Sequence, residues 1–233
     1  MQSVSYLTRR GELETYFDRT AVEAWVRMTS DAPLGRIRAT VRAGRDDMRA
    51  TLMGWLPVDL RGCRLLDAGC GTGALAIEAA HRGADVVAID LSPTLVALAK
   101  ERVPRHVGVG RLAFMTGDML DPALGRFDHV IAMDSLIHYG APDVVRAVTG
   151  LAGRTTGSVL FTFAPRTTAL ALMHAIGRLF PRRDRAPAIE PVREEMLRRM
   201  LAVEPKLSRF RAARTTCVAN GFYTSQALEL VAT

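Results

Sequence analysis

A chain of 233 residues, 48% of them apolar and with a formal net charge of +7, can bury one full α/β core with an appended arm, and leaves no room for a second independent domain. Its three cysteines, Cys63, Cys70 and Cys217, are odd in number and lack Cys-x-x-Cys spacing, which argues against a disulfide framework or a zinc site and for a reducing compartment. The charge suits an anionic partner, but it is nearly all arginine and aromatic residues make up only 6%, few for a base-stacking surface, which weighs against nucleic acid.

At the start of the chain Arg9 and Arg10 have no apolar run behind them, so no signal peptide is expected. The uncharged runs 155–165 and 167–177 are too short to span a bilayer, and a cytoplasmic protein is expected, with attachment to a membrane face left open. Residues 8–57 carry two helical patterns. Leu13, Phe17, Thr20 and Ala24 mark the first, with Tyr16 and Trp25 beside them. Ile37, Val41, Met48, Leu52 and Trp55 mark the second, flanked by a stripe of Arg38, Arg42, Arg45 and Arg49. The stripe reads as a solvated flank, or as an arm that closes over the core and offers Arg42 and Arg45 to an anionic ligand.

The most informative stretch follows. Leu65 and Leu66 lead into Asp67-Ala68-Gly69-Cys70-Gly71-Thr72-Gly73, and Ala74 to His81 reads as helix. Glycines at 69 and 71 let the backbone approach a ligand closely and take positive φ, so the turn is expected to offer its N–H groups to a small molecule. Val86 to Ile89 form a buried-strand run ending in Asp90, 17 residues past Gly73. That spacing brings a second strand's carboxyl end beside the first, where a carboxylate can accept both hydroxyls of a ribose. A third run, Leu112 to Met115, is followed by Gly117-Asp118-Met119. Leu91 and Met119 then frame an adenine slot, with Asp118 on the adenine amine. These residues resemble the first motif of the class I S-adenosylmethionine-dependent methyltransferases, an acid followed by Gly-x-Gly-x-Gly, over roughly residues 50–165.

Val130 to Met133 read as the fourth strand, so Asp134, Ser135, His138 and Tyr139 fall just past its carboxyl end, the crevice side of an open sheet. Asp143 to Leu151 read as helix and Ser158 to Phe163 as the fifth strand. From 166 to 205 the chain carries eight arginines against five acids, with Thr167 to Phe180 apolar and helical. Asn220-Gly221 is a hairpin signal between two final strands, Arg209 to Thr216 and Val218 to Val231.

Glu14-Thr15-Tyr16-Phe17-Asp18-Arg19-Thr20-Ala21 with Trp25, Val41 to Arg49, and Phe127 to Tyr139 are similar to the magnesium-protoporphyrin O-methyltransferase family, over nearly the whole chain. The resemblance implies an α/β Rossmann-like sheet of seven strands in the order 3-2-1-4-5-7-6, with helices on both faces. It divides the chain into an N-terminal helical arm (1–57), a donor-binding core (58–165), an acceptor lid (166–205) and a terminal hairpin completing the sheet (206–233). It implies S-adenosylmethionine as donor, bound by Asp67, Ala68, Gly69, Cys70, Gly71, Gly73, Asp90, Leu91, Asp118, Met119, Met133, Asp134 and Ser135. The acceptor it implies is one propionate of magnesium protoporphyrin IX, giving the monomethyl ester in chlorophyll and bacteriochlorophyll synthesis, with magnesium chelatase as a contact. The magnesium arrives with the substrate, and no protein-bound metal is expected.

A propionate is ionised at neutral pH, its carboxyl pKa being ~4, so no strong base is needed. Catalysis rests on holding its oxygen ~3–3.5 Å behind the methyl and excluding water. His138 is the first catalytic candidate, orienting the propionate through an N–H or ligating the pigment magnesium. Tyr16 is the second, donating to the carboxylate, closing over the sulfonium, or stapling arm to core. Tyr139, Arg42, Arg45, Leu170, Met173 and Ile176 are the candidate acceptor contacts, though 166–205 could equally form a dimer face or ordinary core. Two other functions remain open: a methyltransferase for another small-molecule or nucleic-acid acceptor, and a pigment-binding module without turnover.

Overall fold

The computed structural model describes residues 3–20, 35–105, 108–166 and 188–233. Leu170, Met173 and Ile176 lie outside these residues. The strands are β1 (Arg64–Ala68), β2 (Asp85–Asp90), β3 (Arg111–Thr116), β4 (Phe127–Ala132), β5 (Thr155–Phe163), β6 (Phe210–Asn220) and β7 (Tyr223–Ala232). Among the described residues they form one sheet in the order β3-β2-β1-β4-β5-β7-β6, as the resemblance implied. The first five pair in parallel, and β7 runs antiparallel to both β5 and β6. Leu66 of β1 aligns with Val87 on one side and Val130 on the other. Chain direction along the sheet therefore reverses between β1 and β4, and their carboxyl ends open the crevice where such sheets bind ligands.

Successive side chains of a strand point to opposite faces, so a parallel sheet covered on both sides needs continuous apolar runs. Leu65 and Leu66 divide accordingly. Leu66, Val130 and Phe161 join a core with α1 (Val4–Thr15), α5 (Ala141–Ala152) and α6 (Glu194–Val203). Leu65, Ile131 and Leu160 join another with α2 (Arg36–Trp55) and α3 (Ala74–His81). The helix α4 (Pro93–Glu101) packs beside β2 and β3. It starts at Ser92, fully buried, whose hydroxyl accepts from the Leu95 N–H, with Pro93 in the first turn.

Several spans shift by a few residues from the sequence expectation, and two of the differences change which residues meet. The first helix begins at Val4, capped by the Ser3 hydroxyl on the Tyr6 N–H, and ends in a π-helical turn, Tyr16–Thr20. Tyr6 and Leu13 are thereby buried on the face that also carries Phe17. The terminal hairpin turns on Gly221-Phe222, because Asn220 pairs with Tyr223, and β6 runs unbroken through Cys217 with an irregularity between Ala212 and Thr215.

The close fit of α2 on the hairpin is a local test of this packing. A methyl on Gly44 would stand 2.5 Å from the Tyr223 ring, whereas nothing lies within 4 Å of the corresponding position on Gly54 of the same helix. Gly44→Ala should lower stability in urea unfolding, overpacking of roughly 1–3 kcal/mol outweighing ~1 kcal/mol of helix propensity. Gly54→Ala should raise it by up to ~1 kcal/mol.

Candidate active site

The turn after β1 is held by the tip of β2. The Ile89 carbonyl accepts from the Gly69 N–H at 2.8 Å and the Cys70 N–H at 3.0 Å, and the Asp90 carboxylate accepts from the Gly71 N–H at 2.8 Å. Gly73 N–H donates to the Cys70 carbonyl. These N–H groups are therefore committed within the protein, which corrects the expectation that the turn offers them to a ligand. The glycines act by shape. At Gly69 a side chain would strike Ser135, at Gly73 it would strike Phe114, and at Gly71 nothing lies within 4 Å. All three have positive φ. Gly69 and Gly73 are needed for close packing, and Gly71 leaves open space.

Asp90 and Asp118 stand at the next two strand ends. Asp90 also accepts from the Ser92 N–H, and burial raises its pKa against those hydrogen bonds. Asp118 accepts from the Leu120 N–H at 2.8 Å and is gripped from above by α1, through the Tyr6 hydroxyl at 3.1 Å and Arg10 at 2.7 Å. Tyr6 stacks on Tyr139 with ring centroids 5.0 Å apart.

Past β4, Asp134 has a positive φ of 55°, a conformation that an aspartate tolerates when its side chain is well anchored. Its carboxylate accepts from Tyr223, Ser225 and Thr162 and pairs with Arg45 of α2 at 2.9 Å. Arg45, expected on the acceptor, is thus bound to Asp134, and Asp134, expected on the donor, turns its carboxylate into the protein. Among the described residues the hydroxyl oxygens of Ser135 and Tyr139, like Asp67 Oδ2 and Thr149 Oγ1, are buried without a hydrogen-bond partner. His138 is buried; its Nδ1 lies 3.3 Å from the Ala188 carbonyl and its ring meets Phe17 edge-on.

One cavity gathers Gly69, Gly71, Asp90, Leu91, Asp118, Met119, Met133, Asp134, Ser135, His138, Tyr139 and Arg45 from the sequence expectation, together with Tyr6, Leu13, Phe17, Ile89, Leu95 and Gly117. Asp67 and Ala68 are buried beneath it, and Cys70, Gly73, Arg42 and Tyr16 do not line it. Tyr16 instead packs edge-on against Phe17. Sequence reasoning missed Tyr6 because it began the helix at residue 8, and Arg10 because it was read only against a signal peptide; Ser3 as a cap, and the 4-3-4 spacing of Tyr6, Arg10, Leu13 and Phe17, are the signals that place them on one face. Among the described residues no group of three or more His, Cys, Asp or Glu is arranged to hold a metal ion.

The acids give the cavity its electrostatic character. Asp67 is buried, and burial first, then the nearby Asp90 charge, raise its pKa to about 7, against the Ala76 N–H and Arg45. A cationic ligand placed beside Asp90 would be attracted at a low-dielectric site, while an adenine and ribose find apolar walls and carboxylate acceptors beside it. The donor set and the unpartnered Ser135 hydroxyl fit an adenosyl sulfonium with a polar amino-acid tail.

The family model described as "Magnesium-protoporphyrin IX methyltransferase C-terminus" matches residues 132–232, and that of a "Methyltransferase domain" matches 65–155. The chain is 48% identical to magnesium-protoporphyrin O-methyltransferase of Rhodobacter capsulatus, over 96% of this chain and 97% of that one. It is 31% identical to the Synechocystis protein of the same name, with 93% of each covered. The crystal structure of magnesium protoporphyrin IX methyltransferase from Synechocystis PCC 6803 with bound SAH superposes with a TM-score of 0.83 at 30% identity, covering 96% of this chain and 100% of that one.

Asp67 gives the site a pH signature. The folded protein holds its proton up to about pH 7, whereas the unfolded carboxyl titrates near ~4. Its stabilising contribution is therefore complete below pH ~4 and is lost as pH rises through about 7. In urea unfolding from pH ~4 to ~8, Asp67→Asn should gain on the wild type by up to ~4 kcal/mol as pH rises. A pH-independent difference would show that folding leaves the Asp67 pKa unshifted.

Proposed function

The chain belongs to the magnesium-protoporphyrin O-methyltransferase family, and from that premise we propose that it transfers a methyl group from S-adenosylmethionine to one propionate carboxylate of magnesium protoporphyrin IX, giving the monomethyl ester. The observation that carries this is the 48% identity over nearly the full length of both chains, arm and terminal segments included. A donor-only likeness would be confined to the core strands.

Bound S-adenosylmethionine supplies an electrophilic methyl on a sulfonium. The chain's own residues then have four tasks. Leu91 and Met119 face the adenine and Asp118 its amine; Asp90 takes the ribose hydroxyls. Gly71 leaves space for the chain of the donor, and Met133 and Ser135 border its methionine end. Asp90 at the cavity edge favours the positive charge. Attack by an ionised carboxylate needs no proton removed, and charge disappears as sulfonium and carboxylate become thioether and ester. Excluding water therefore favours the transition state, and Leu13, Phe17 and Met133 supply apolar wall for that purpose.

His138 is the acceptor-side residue. A carbonyl only accepts, so its contact with Ala188 puts the proton on Nδ1, and in the neutral ring Nε2 is then an acceptor. This favours a lone pair toward the pigment magnesium; orienting the propionate through Nε2–H requires the imidazolium. Tyr16 is raised in pKa by burial and stays a neutral hydrogen-bond donor, suited to a propionate oxygen reached from the arm. Arg42 of α2 is the proposed cation for the acceptor's second carboxylate, and the part of 166–205 before α6, which itself packs into the core, the proposed lid. Among the described residues no helix is long and apolar enough to cross a membrane. Contact with magnesium chelatase, and attachment to an anionic membrane face favoured by the +7 charge, belong to this same proposal.

The test offers S-adenosylmethionine with magnesium-loaded and metal-free protoporphyrin side by side, following the ester by mass spectrometry. The magnesium pigment should be esterified faster. His138→Phe should lower kcat by roughly 100-fold or more with donor affinity kept, and should erase the preference for the metal. Tyr16→Phe should lower kcat by roughly tenfold with the preference intact. A protein that binds the pigment at saturating donor and forms no ester would be a carrier, contradicting the proposal.

A further inference from the structure

The carboxylate proposed to read the adenine amine is also the anchor of the N-terminal helix. Asp118 Oδ1 accepts from the Tyr6 hydroxyl at 3.1 Å and the Leu120 N–H at 2.8 Å, and Oδ2 accepts from Arg10 at 2.7 Å. A carboxylate offers about four acceptor positions, so an amine arriving here joins a network that α1 has already built. From this shared carboxylate we infer that Tyr6 and Arg10 are positioning residues that set the protein's preference for an adenine-bearing donor, an inference that rests on the donor reading above.

Each residue has a separate part. Arg10 holds Oδ2 of the Asp118 carboxylate in a charge-assisted bond that restrains its plane. Tyr6 is buried, stacked on Tyr139, and fixes the direction of Oδ1. With the rotation of Asp118 restrained, its acceptor positions toward the slot between Leu91 and Met119 are set before the donor enters, and the ordering cost is met in advance. Removing either restraint leaves the carboxylate present but less tightly oriented, so the amine gains less from it. The docking of α1 does not hang on this contact. Ser3 donates to Asp143 at 2.6 Å, Arg9 pairs with Glu190 at 3.1 Å, and Asp18, in the π-helical turn, accepts from the Thr94 hydroxyl at 2.7 Å. Coupling between helix and donor is reciprocal. An occupied adenine slot should in turn hold α1 more firmly.

The experiment measures affinity for S-adenosylhomocysteine and for its analogue lacking the 6-amino group, by calorimetry on the full chain. The ratio of the two affinities is the readout, because a purely structural loss weakens both ligands alike and leaves the ratio unmoved. The wild type should prefer the amine by roughly tenfold or more, and Arg10→Met and Tyr6→Phe should each cut that ratio by roughly threefold or more. Asp118→Ala and Asp118→Asn should bring it to about one. Amide exchange of residues 4–15 should slow on adding S-adenosylhomocysteine to the wild type and not on adding the analogue. If the Asp118 variants lose the preference while Arg10→Met and Tyr6→Phe keep it, the inference is overturned and the adenine assignment stands. If the Asp118 variants keep the wild-type ratio, both are overturned.

Discussion

The backbone bond between the glycine turn and the tip of β2 is the constraint from which the site follows. Because the Ile89 carbonyl and the Asp90 carboxylate take the N–H groups of residues 69–71, the turn cannot relax outward, and its conformation is set by the sheet. Three features depend on this. Gly71 presents an open face, Asp90 is drawn to the edge of the cavity, and Asp67 is left buried close enough to feel its charge. The parallel pairing of β1 with both β2 and β4 then brings Met133, Asp134 and Ser135 to the opposite wall.

Around that frame, the N-terminal helices grip the strand ends through charge. Arg10 of α1 binds Asp118 after β3, and Arg45 of α2 binds Asp134 after β4, each at an acid otherwise facing the cavity. Both pairs are partly shielded from water, so they are screened less than surface pairs, and breaking one partner leaves a buried charge uncompensated. Asp90, whose carboxylate accepts from the Gly71 and Ser92 N–H groups at the cavity edge, is the acid suited to a cation. Charge complementarity within the fold thus selects where a sulfonium is welcome, and the removal of charge during methyl transfer turns a dry, apolar wall into an advantage.

The four parallel strands β1 to β4, the helix after β1 and most of the cavity could be read from the chain because they depend on local pattern: apolar runs of strand length, acids just beyond them, and glycines where φ is positive; the sheet order came from the family resemblance. Partner choice could not. Nothing in the sequence says that the Gly69, Cys70 and Gly71 N–H groups face Ile89 and Asp90, since that depends on how β2 lies across the turn. Arg45 carried a visible basic stripe, but its pairing with Asp134 spans 89 positions in the chain. Tyr6 was hidden by a helix start placed too late, and Tyr139, taken as an acceptor contact, proves to stack on Tyr6 beside Asp118. The family resemblance carried what pattern could not, namely the identity of the acceptor.

The central claim is that these strand ends converge on one adenosyl donor. A crystal structure of the protein with S-adenosylhomocysteine tests it most directly. The account predicts adenine between Leu91 and Met119, ribose hydroxyls within about 3 Å of Asp90, and the thioether sulfur beside Met133 on the His138 side of the cavity. A ligand bound with its adenine away from Asp118, or outside the crevice between β1 and β4, would contradict it.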